Sequence, residues 1–356
     1  MAEKTILIKN GRVFDGESYF YGDVYVKGGR IAAMKSDVPD TADIVFDARE
    51  KTVVPGLIDI HAHILGISSD QWGTPADSSF FPFGVTAAAD GGAVKGTAEL
   101  ADSFMMRCGV FLFIGVKDDR AQTANAKKLL DVYGDKVMGL KTMYDATDPN
   151  VRTLAPLKEA VAFAEECGLP LTVHCNHSPT SMESIVDVLR RGDILTHIFH
   201  GDRSICSEND YAAFKKAREK GVILDAGMAG CVHTDFAVLK AAVAAGYAPD
   251  VVSTDITKLS AFTRGGKYGL ALCMSIMRAA GVSEEKLLPM VTVNAAAAVG
   301  KSGEWGVLRV GGDADIAVLE YGDHPFDYNE NGNVFSSQKG YDCVLTVCKG
   351  LVVYKR

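Results

Sequence analysis

The chain has 356 residues, 47% of them hydrophobic and 23% charged, which is enough for one large α/β barrel or two ordinary domains with a sizeable core. Its formal net charge of −8 argues against nucleic acid or an anionic membrane surface as a partner. We expect no secretion signal or bilayer-spanning segment, and the eight scattered cysteines, without a C-x-x-C pair, suit reduced thiols in the cytoplasm.

The first 53 residues are expected to form short strands separated by turns. The stretches TILIKNGRVF, GDVYVKGGRIAAM and DIVFDA are rich in β-branched residues, and the Asn10-Gly11 and Gly28-Gly29 pairs mark turns between them. Near the C-terminus the stretches ADIAVLEY and DCVLTVCKGLVVYK have the same character. We therefore predict one small β-sandwich domain built from both chain termini, residues 1–53 and 305–356.

Between residues 54 and 304, apolar strands alternate with helical stretches, which is the pattern of a parallel sheet. The candidate strands are LIDIHAHI, TAAADGG, GVFLFIGV, VMGLKTMY, LPLTVHCN, ILTHIFHG, VILDAGM and VVSTDIT. Eight such strands in about 200 residues, each followed by a loop and usually a helix, predict a (β/α)₈ TIM barrel.

The first barrel strand carries the most informative pattern of the chain. Asp59, His61 and His63 occupy alternate positions, so their side chains are expected to project to one face. The residues between them are apolar, which favours a strand buried on both sides over a surface strand with a polar face. Two histidines about 7 Å apart along a strand can bind one metal ion. Because buried imidazoles and carboxylates need partners, this stretch predicts a metal site.

Rare polar residues also fall at the ends of later predicted strands. Lys141 ends the fourth strand, His174 ends the fifth, His197 lies late in the sixth and Asp255 ends the eighth. Each has an ordinary explanation by itself, such as a hydrogen-bonded core histidine, a snorkelling lysine or an aspartate that caps a turn. Since catalytic groups of barrels collect at the carboxyl ends of the strands, together they indicate one site at the barrel mouth.

These residues resemble the amidohydrolase superfamily of metal-dependent hydrolases. That superfamily has an H-x-H after strand one, often a carboxylated lysine on strand four, single histidines on strands five and six, and an aspartate on strand eight. The matching positions are His61, His63, Lys141, His174, His197 and Asp255. The stretches TVNAAAAVG and GVLRVGGDADIAVLE resemble its closing helix and return to the sandwich. GDILTHIFHG and PDVVSTDIT most resemble the deacylases related to D-aminoacylase and dihydroorotase.

The chemistry of the six residues favours two divalent metal ions. A buried lysine is pushed towards its neutral form, and its amine can then add CO₂ to give a carbamate that bridges two cations. His61, His63 and Asp255 would hold one ion, and His174 and His197 the other. Zn²⁺ suits these ligands best, with Mn²⁺, Fe²⁺, Co²⁺ and Ni²⁺ as alternatives. A water shared by both ions would supply hydroxide, with Asp255 as the proton shuttle.

Further residues are candidates for substrate binding. Tyr144 could polarise a carbonyl group, and His177 and His200 lie in loops where they would touch substrate or face water. Lys258, Arg264 and Lys267 lie in the loop TKLSAFTRGGKYG, where they would clamp an acidic substrate or simply be solvated. Some related deacylases have an arginine two residues after the lysine and a histidine after the strand-seven turn. This chain has Met143 and Met228 there, which predicts a different substrate.

The leading hypothesis is a binuclear deacylase or deacetylase that cleaves an amide or ester bond in a small, acidic molecule. The alternatives are a mononuclear deaminase or a dihydroorotase-like cyclic amidase of the same superfamily, a Schiff-base lyase that uses Lys141, and a non-enzymatic scaffold. Lys141 argues against the deaminases, which place a glutamate after strand five where this chain has Asn176 and His177. A small-molecule substrate is the expected partner, with a homo-oligomer as an open alternative to a monomer.

Overall fold

Two large β-sheets that meet at Gly56 organise the computed structural model. It describes residues 4–65, 72–95, 98–201, 204–206, 209–230, 232–263, 266–330 and 333–356. The strands that lie before Gly56 are β1 (Ile6–Phe14), β2 (Tyr19–Lys27), β3 (Arg30–Met34), β4 (Ile44–Asp47) and β5 (Thr52–Pro55). The strands that follow it up to residue 224 are β6 (Leu57–Ala62), β7 (Val85–Ala93), β8 (Arg107–Lys117), β9 (Arg120–Gln122), β10 (Val137–Met143), β11 (Leu171–His174), β12 (Ile194–Thr196) and β13 (Ile223–Leu224).

The strands near the C-terminus join those of the N-terminus in one mixed sheet, which we call the terminal sheet. The C-terminal strands are β14 (Ile316–Gly322), β15 (Phe326–Glu330), β16 (Asn333–Ser337), β17 (Gly340–Cys348) and β18 (Leu351–Lys355). Their order in the terminal sheet is β18-β17-β14-β5-β1-β2-β3, with β4 paired to β1, while β15 and β16 form a separate hairpin. Strands from both ends of the chain thus join in one continuous hydrogen-bonded sheet, as the predicted fold requires.

The second sheet is the curled parallel sheet predicted for the barrel. Its order is β13-β12-β11-β10-β8-β7-β6, with the short β9 paired to β8. Residues 251–256 lie within the predicted eighth strand, VVSTDIT, and connect the two edges of this sheet. Val251 forms a parallel bridge with Asp225, just beyond β13, and Ile256 forms one with Ala62 at the end of β6. The barrel is therefore closed by single bridges, so the eighth strand is less regular than the sequence indicates.

Helices pack against both large sheets. They are α1 (Ala98–Asp102), α2 (Ala124–Tyr133), α3 (Ala155–Glu166), α4 (Met182–Val188), α5 (Ala212–Lys220), α6 (Phe236–Ala244), α7 (Lys258–Thr263), α8 (Leu270–Ala279), α9 (Glu284–Met290) and α10 (Val293–Ala298). Within the described residues, none is both long and apolar enough to cross a membrane. Their apolar faces bury residues such as Leu157, Phe214 and Met274 against the strands, which fixes the strand ends that carry the polar residues.

The hairpin of β15 and β16 reaches from the terminal sheet to the barrel. Phe335 stacks on Phe236 at the start of α6, with 3.6 Å between ring centroids. The buried Tyr328 hydroxyl donates to the carbonyl oxygen of Met228 at 3.4 Å. Both contacts lie at the ends of the loop that follows β13, so the C-terminal part of the chain supports a loop of the barrel mouth.

Candidate metal centre

The mouth of the barrel gathers the six residues that the sequence predicts as metal ligands. They are His61 on β6, His63 just beyond it, Lys141 on β10, His174 at the end of β11, His197 just beyond β12, and Asp255 in the closing segment. His63 Nε2 lies 2.9 Å from Asp255 Oδ1, and Lys141 Nζ lies 3.0 Å from His61 Nε2. All except His63 are buried. Residues up to 194 positions apart in sequence thus converge on one small volume.

Among the described residues, two overlapping groups of side chains lie close enough together to hold a metal ion. One group is His61, His197 and Asp255, the other is His174, His197 and His233, and within each group the ligand atoms lie within 4.8 Å of one another. Within the described part of the chain, His197 Nε2 is buried without a hydrogen-bond partner, and the buried Asp255 Oδ1 has His63 Nε2 at 2.9 Å and His61 Nε2 at 3.3 Å beside it. An unpaired buried polar atom costs about 1–3 kcal/mol. A cation would bind both atoms, so this donor set fits a divalent metal ion.

The position of the His61 ring is set by a chain of hydroxyl and carboxylate groups behind it. The Thr196 hydroxyl donates to Asp225 Oδ2 at 2.7 Å, so its oxygen is left to accept from His61 Nδ1, 3.2 Å away. Ser253 also donates to Asp225 Oδ2 at 2.7 Å. His61 therefore carries its proton on Nδ1, and its Nε2 lone pair faces the mouth, as a metal-ligating histidine requires.

The backbone at two predicted ligands is strained. His197 has φ +63° and Asp255 has φ +48°, a region that residues with a side chain rarely occupy. His197 Nδ1 donates to the carbonyl oxygen of Gly227 at 2.6 Å, which leaves Nε2 for the centre of the mouth. A Cβ at Gly227 would lie 2.6 Å from that same Nδ1, so only glycine allows this approach. Strain of this kind persists where the surrounding structure enforces it, commonly at functional sites.

His174 is supported by an acidic residue that the sequence does not single out. His174 Nε2 lies 3.3 Å from Asp145 Oδ2 and donates to it. Burial alone would raise the pKa of Asp145, but the hydrogen bonds from His174 and Thr147 outweigh it and hold this pKa well below its usual range. The ionised Asp145 fixes the proton of His174 on Nε2, which leaves the Nδ1 lone pair available to a cation. His177 lies 3.6 Å from the same carboxylate, and its side chain is half exposed.

Burial sets the charge state of the mouth. It lowers the pKa of three imidazole rings, those of His61, His174 and His197. Burial also lowers the pKa of Lys141 to about 8, although Asp255 and Asp225 oppose it. For Asp255 burial acts in the other direction, but His61 and His63 outweigh it and hold the pKa of this carboxyl well below its usual range. Neutral imidazoles beside an ionised carboxylate are the protonation states that metal binding requires.

His233 lies in this cluster, and sequence reasoning missed it. Its ring centroid is 4.3 Å from that of His197 and 5.1 Å from that of His174. It comes from the loop after β13, where the sequence comparison with deacylases considered only Met228. The signal that could have found it is its place in the loop after the seventh predicted strand, at the same mouth as the other histidines.

Asp59 does not project with His61 and His63, which is a correction to the alternation argument. It accepts hydrogen bonds from the Thr254 hydroxyl at 2.5 Å and the Thr254 backbone N–H at 3.1 Å. Because β6 is buried on both sides and the closing segment packs beside it, Asp59 ties the first and eighth strands together. Burial raises the pKa of Asp59 to about 7.

The predicted substrate-binding residues differ from one another in burial and in their contacts. The buried Tyr144 hydroxyl forms a hydrogen bond with the Thr180 hydroxyl at 3.3 Å. His200 is buried, so the alternative that its side chain faces water is wrong. Lys258 begins α7, three residues after Asp255. Arg264 lies outside the described residues.

The sequence of this chain is similar to those of known hydrolases. A model of the amidohydrolase family matches residues 52–353. A deacetylase of Enterococcus faecalis is 26% identical over 338 residues, which are 88% of this chain and 89% of that protein. A deacetylase of Agrobacterium fabrum is 27% identical over 350 residues, 90% of this chain and 83% of that one.

A solved structure shares the fold over almost the entire chain. The crystal structure of a dihydroorotase superposes with a TM-score of 0.84 at 24% sequence identity, covering 99% of this chain and 98% of the other. At this identity the likeness shows the fold alone. Since the family model spans most of the sequence and the mouth carries buried histidine and aspartate clusters, this chain belongs to the amidohydrolase family, as a hydrolase.

Proposed function

We propose that this protein is a binuclear metal-dependent deacylase that cleaves an amide or ester bond in a small acidic molecule. The observation that carries the proposal is the pair of buried ligand groups that share His197 at one barrel mouth. The similarity to two deacetylases over most of the chain supports an acyl group as the part removed. Asn176 follows β11 where deaminases of this superfamily have a glutamate, which disfavours deamination.

Six side chains are proposed to hold the two cations. His61, His63 and Asp255 would bind one, His174 and His197 the other, and Lys141 would bind both through a carbamate. Zinc suits the nitrogen and oxygen donors, and Mn²⁺, Fe²⁺, Co²⁺ and Ni²⁺ are the alternatives. When bound, the two cations supply hydroxide at neutral pH and polarise the carbonyl group of the substrate.

Lys141 is suited to carbamate formation by its surroundings. Its side chain is buried, and its lowered pKa of about 8 leaves a minor neutral fraction of the amine at neutral pH. A neutral amine adds CO₂, whereas an ammonium group has no lone pair to do so. The carbamate would replace the proton donor that Lys141 now directs at His61 Nε2 with two oxygen ligands.

Asp255 is proposed as the proton shuttle. Its carboxylate is held ionised by His61 and His63, and its Oδ1 lies 2.9 Å from His63 Nε2. It can therefore accept the proton of the attacking water and return it to the leaving amine or alkoxide. The acidic character of the substrate is proposed from Lys258, which follows Asp255 closely at the start of α7.

The test is a hydrolysis screen of the metal-loaded protein. N-acylated amino acids, O-acylated hydroxy acids and cyclic amides should be tried, with free carboxylic acid as the measured product. Asp255→Asn keeps the shape of the side chain but removes a basic oxygen, so turnover should fall about a hundredfold or more. Near wild-type turnover of metal-replete Asp255→Asn would exclude the shuttle. Release of ammonia from aminopurines or aminopyrimidines, with no acyl product, would favour a deaminase instead.

A further inference from the structure

Three imidazole rings, those of His174, His197 and His233, face one another at the barrel mouth. The ring centroids of His174 and His197 are 4.6 Å apart, and His233 is 5.1 and 4.3 Å from them. His233 Nε2 and His197 Nε2 lie 3.9 and 3.8 Å from the same atom, Asp255 Oδ2. Both Nε2 atoms are therefore turned towards the interior of the site.

In each of the three rings, one nitrogen is held by a partner outside the cluster. His197 Nδ1 donates to Gly227, His174 Nε2 donates to Asp145, and His233 Nδ1 lies 2.5 Å from Asn176 Nδ2. A second nitrogen fixed in this way sets the tautomer and the orientation of a metal-ligating histidine. His233 thus has the same arrangement as the two predicted ligands.

Asn176 decides which nitrogen of His233 carries the proton. Its side chain is buried, and its Oδ1 has no hydrogen-bond partner among the described residues. When the amide presents its nitrogen to Nδ1, the proton of His233 lies on Nε2. When it rotates to present Oδ1, Nδ1 donates to that oxygen and the Nε2 lone pair faces the cluster. The second orientation satisfies the orphaned Oδ1 and creates a metal ligand in the same movement.

The loop that carries His233 is tied to the barrel on both sides of the residue. The backbone N–H of Ala229 donates to the carbonyl oxygen of Thr254 at 2.8 Å, and that of Asp235 donates to the carbonyl oxygen of Phe199 at 2.8 Å.

The ligand atoms of the three histidines lie within 4.8 Å of one another. Around a tetrahedral zinc ion with bonds of about 2.0–2.1 Å they would be about 3.3 Å apart. An inward movement of about 1 Å therefore completes the geometry.

We propose that His233 is the third histidine ligand of the second metal position, with Asn176 as its positioning residue. This inference rests on the metal centre of the proposed function but not on its reaction. Three histidines with one open place form a complete zinc-binding set. The second position therefore binds a divalent cation without the Lys141 carbamate.

The first test measures Co²⁺ binding in the Lys141→Ala background, by competition with a chelator and by elemental analysis. Lys141→Ala should retain about one ion per chain, and adding His233→Gln should weaken binding of that ion at least tenfold. His324→Gln is the matched control, since His324 lies on the turn between β14 and β15 and belongs to neither ligand group. Equal affinity with His233→Gln and His324→Gln would overturn the proposal. Loss of all metal from the wild-type protein would instead refute the proposed function.

A second variant separates direct ligation from damage to the fold. With Co²⁺ bound, His233→Cys should show the near-ultraviolet thiolate-to-cobalt absorption band, and His324→Cys should not. Asn176→Asp, which can only accept from Nδ1, should keep the affinity, whereas Asn176→Leu should lose it. A His233→Cys protein that binds Co²⁺ without the band places residue 233 outside the coordination sphere and overturns the assignment.

Discussion

At the scale of single residues, Lys141 has a chemistry that its surroundings decide. In water its amine would be protonated, but burial in the barrel lowers its pKa to about 8. Lys141→Ala should lose most hydrolytic activity because the proposed carbamate is lost. Short carboxylic acids should partly restore it by occupying the vacated bridging place. The measurement is turnover with and without added acetate or propionate.

The matched control for Lys141 is Lys216→Ala, since Lys216 lies on the surface of α5 in an ion pair with Asp187. Its activity should equal that of wild type and show no response to added acid. Full activity of Lys141→Ala, or an unmodified amine in a metal-loaded crystal structure, would contradict the carbamate.

Asp59 predicts a pH dependence of the stability of the metal-free protein. Burial raises its pKa to about 7, against about 3.9 in an unfolded chain. The folded state therefore binds the proton more tightly, so the stabilisation is present below about pH 4 and is lost as the pH rises through about 7. Asp59→Asn should remove a slope of at most about 1.4 kcal/mol per pH unit. Urea unfolding between about pH 5 and 8 measures it, and a pH-independent difference between the two proteins would refute it.

At the scale of elements, the site depends on how each strand ends. Parallel strands bring their carboxyl ends to one mouth, but His197 reaches its place only by a left-handed residue just beyond β12. The neighbouring loop must then come within hydrogen-bond distance of its ring, which Gly227 allows. The length and direction of each strand bring the ligand residues to the mouth of the barrel. The irregular residues at the strand ends then set the direction in which each ligand side chain points.

Gly227→Ala should disturb both stability and metal binding. A Cβ there would lie 2.2 Å from Thr196 Oγ1 and 2.6 Å from His197 Nδ1, so both side chains must move. We expect a loss of about 2–4 kcal/mol in unfolding free energy, from backbone strain and the clash, with weaker metal binding. Gly168→Ala is the control, because its φ of +65° is positive like the +48° at Gly227 and a Cβ there would meet nothing within 4 Å. It should cost about 1–2 kcal/mol and leave metal affinity unchanged; equal effects on metal affinity would contradict the steric argument.

At the scale of the whole molecule, the terminal sheet and the barrel are coupled by charge as well as by packing. Arg107 at the start of β8 lies 2.7 Å from Asp313 and 2.5 Å from Asp315, just before β14. The arginine and Asp315 are largely buried, so the two carboxylates would lose their countercharge if it were removed. This joins the amino end of a barrel strand, opposite the mouth, to the terminal sheet.

Arg107→Ala should therefore lower the unfolding free energy by about 2–3 kcal/mol without changing the metal content. Lys216→Ala, which breaks a more exposed pair with Asp187, should change it by less than about 1 kcal/mol. Thermal unfolding of the two variants beside wild type measures both. An Arg107→Ala protein as stable as the Lys216→Ala protein would mean that packing alone couples the two sheets.

The sequence by itself predicted the barrel, the joining of both chain ends in one domain and the convergence of six polar residues. It did so because strand periodicity and the common direction of parallel strands are local rules. His61 and His174 could be assigned to the mouth for this reason. The rules also misplaced Asp59, whose partner Thr254 lies 195 residues away.

Only the tertiary structure decided which loops fold over the mouth and which groups lie behind the ligands. His233 enters the cluster from a loop supported by Tyr328 and by the stacking of Phe335 on Phe236, contacts made by the C-terminal hairpin. Asp225 reaches His61 through Thr196, across neighbouring strands. Loops lack the regular alternation of polar and apolar residues that identifies a strand or a helix. Contacts between residues distant in sequence form only when the chain packs, so no local sequence pattern predicts them.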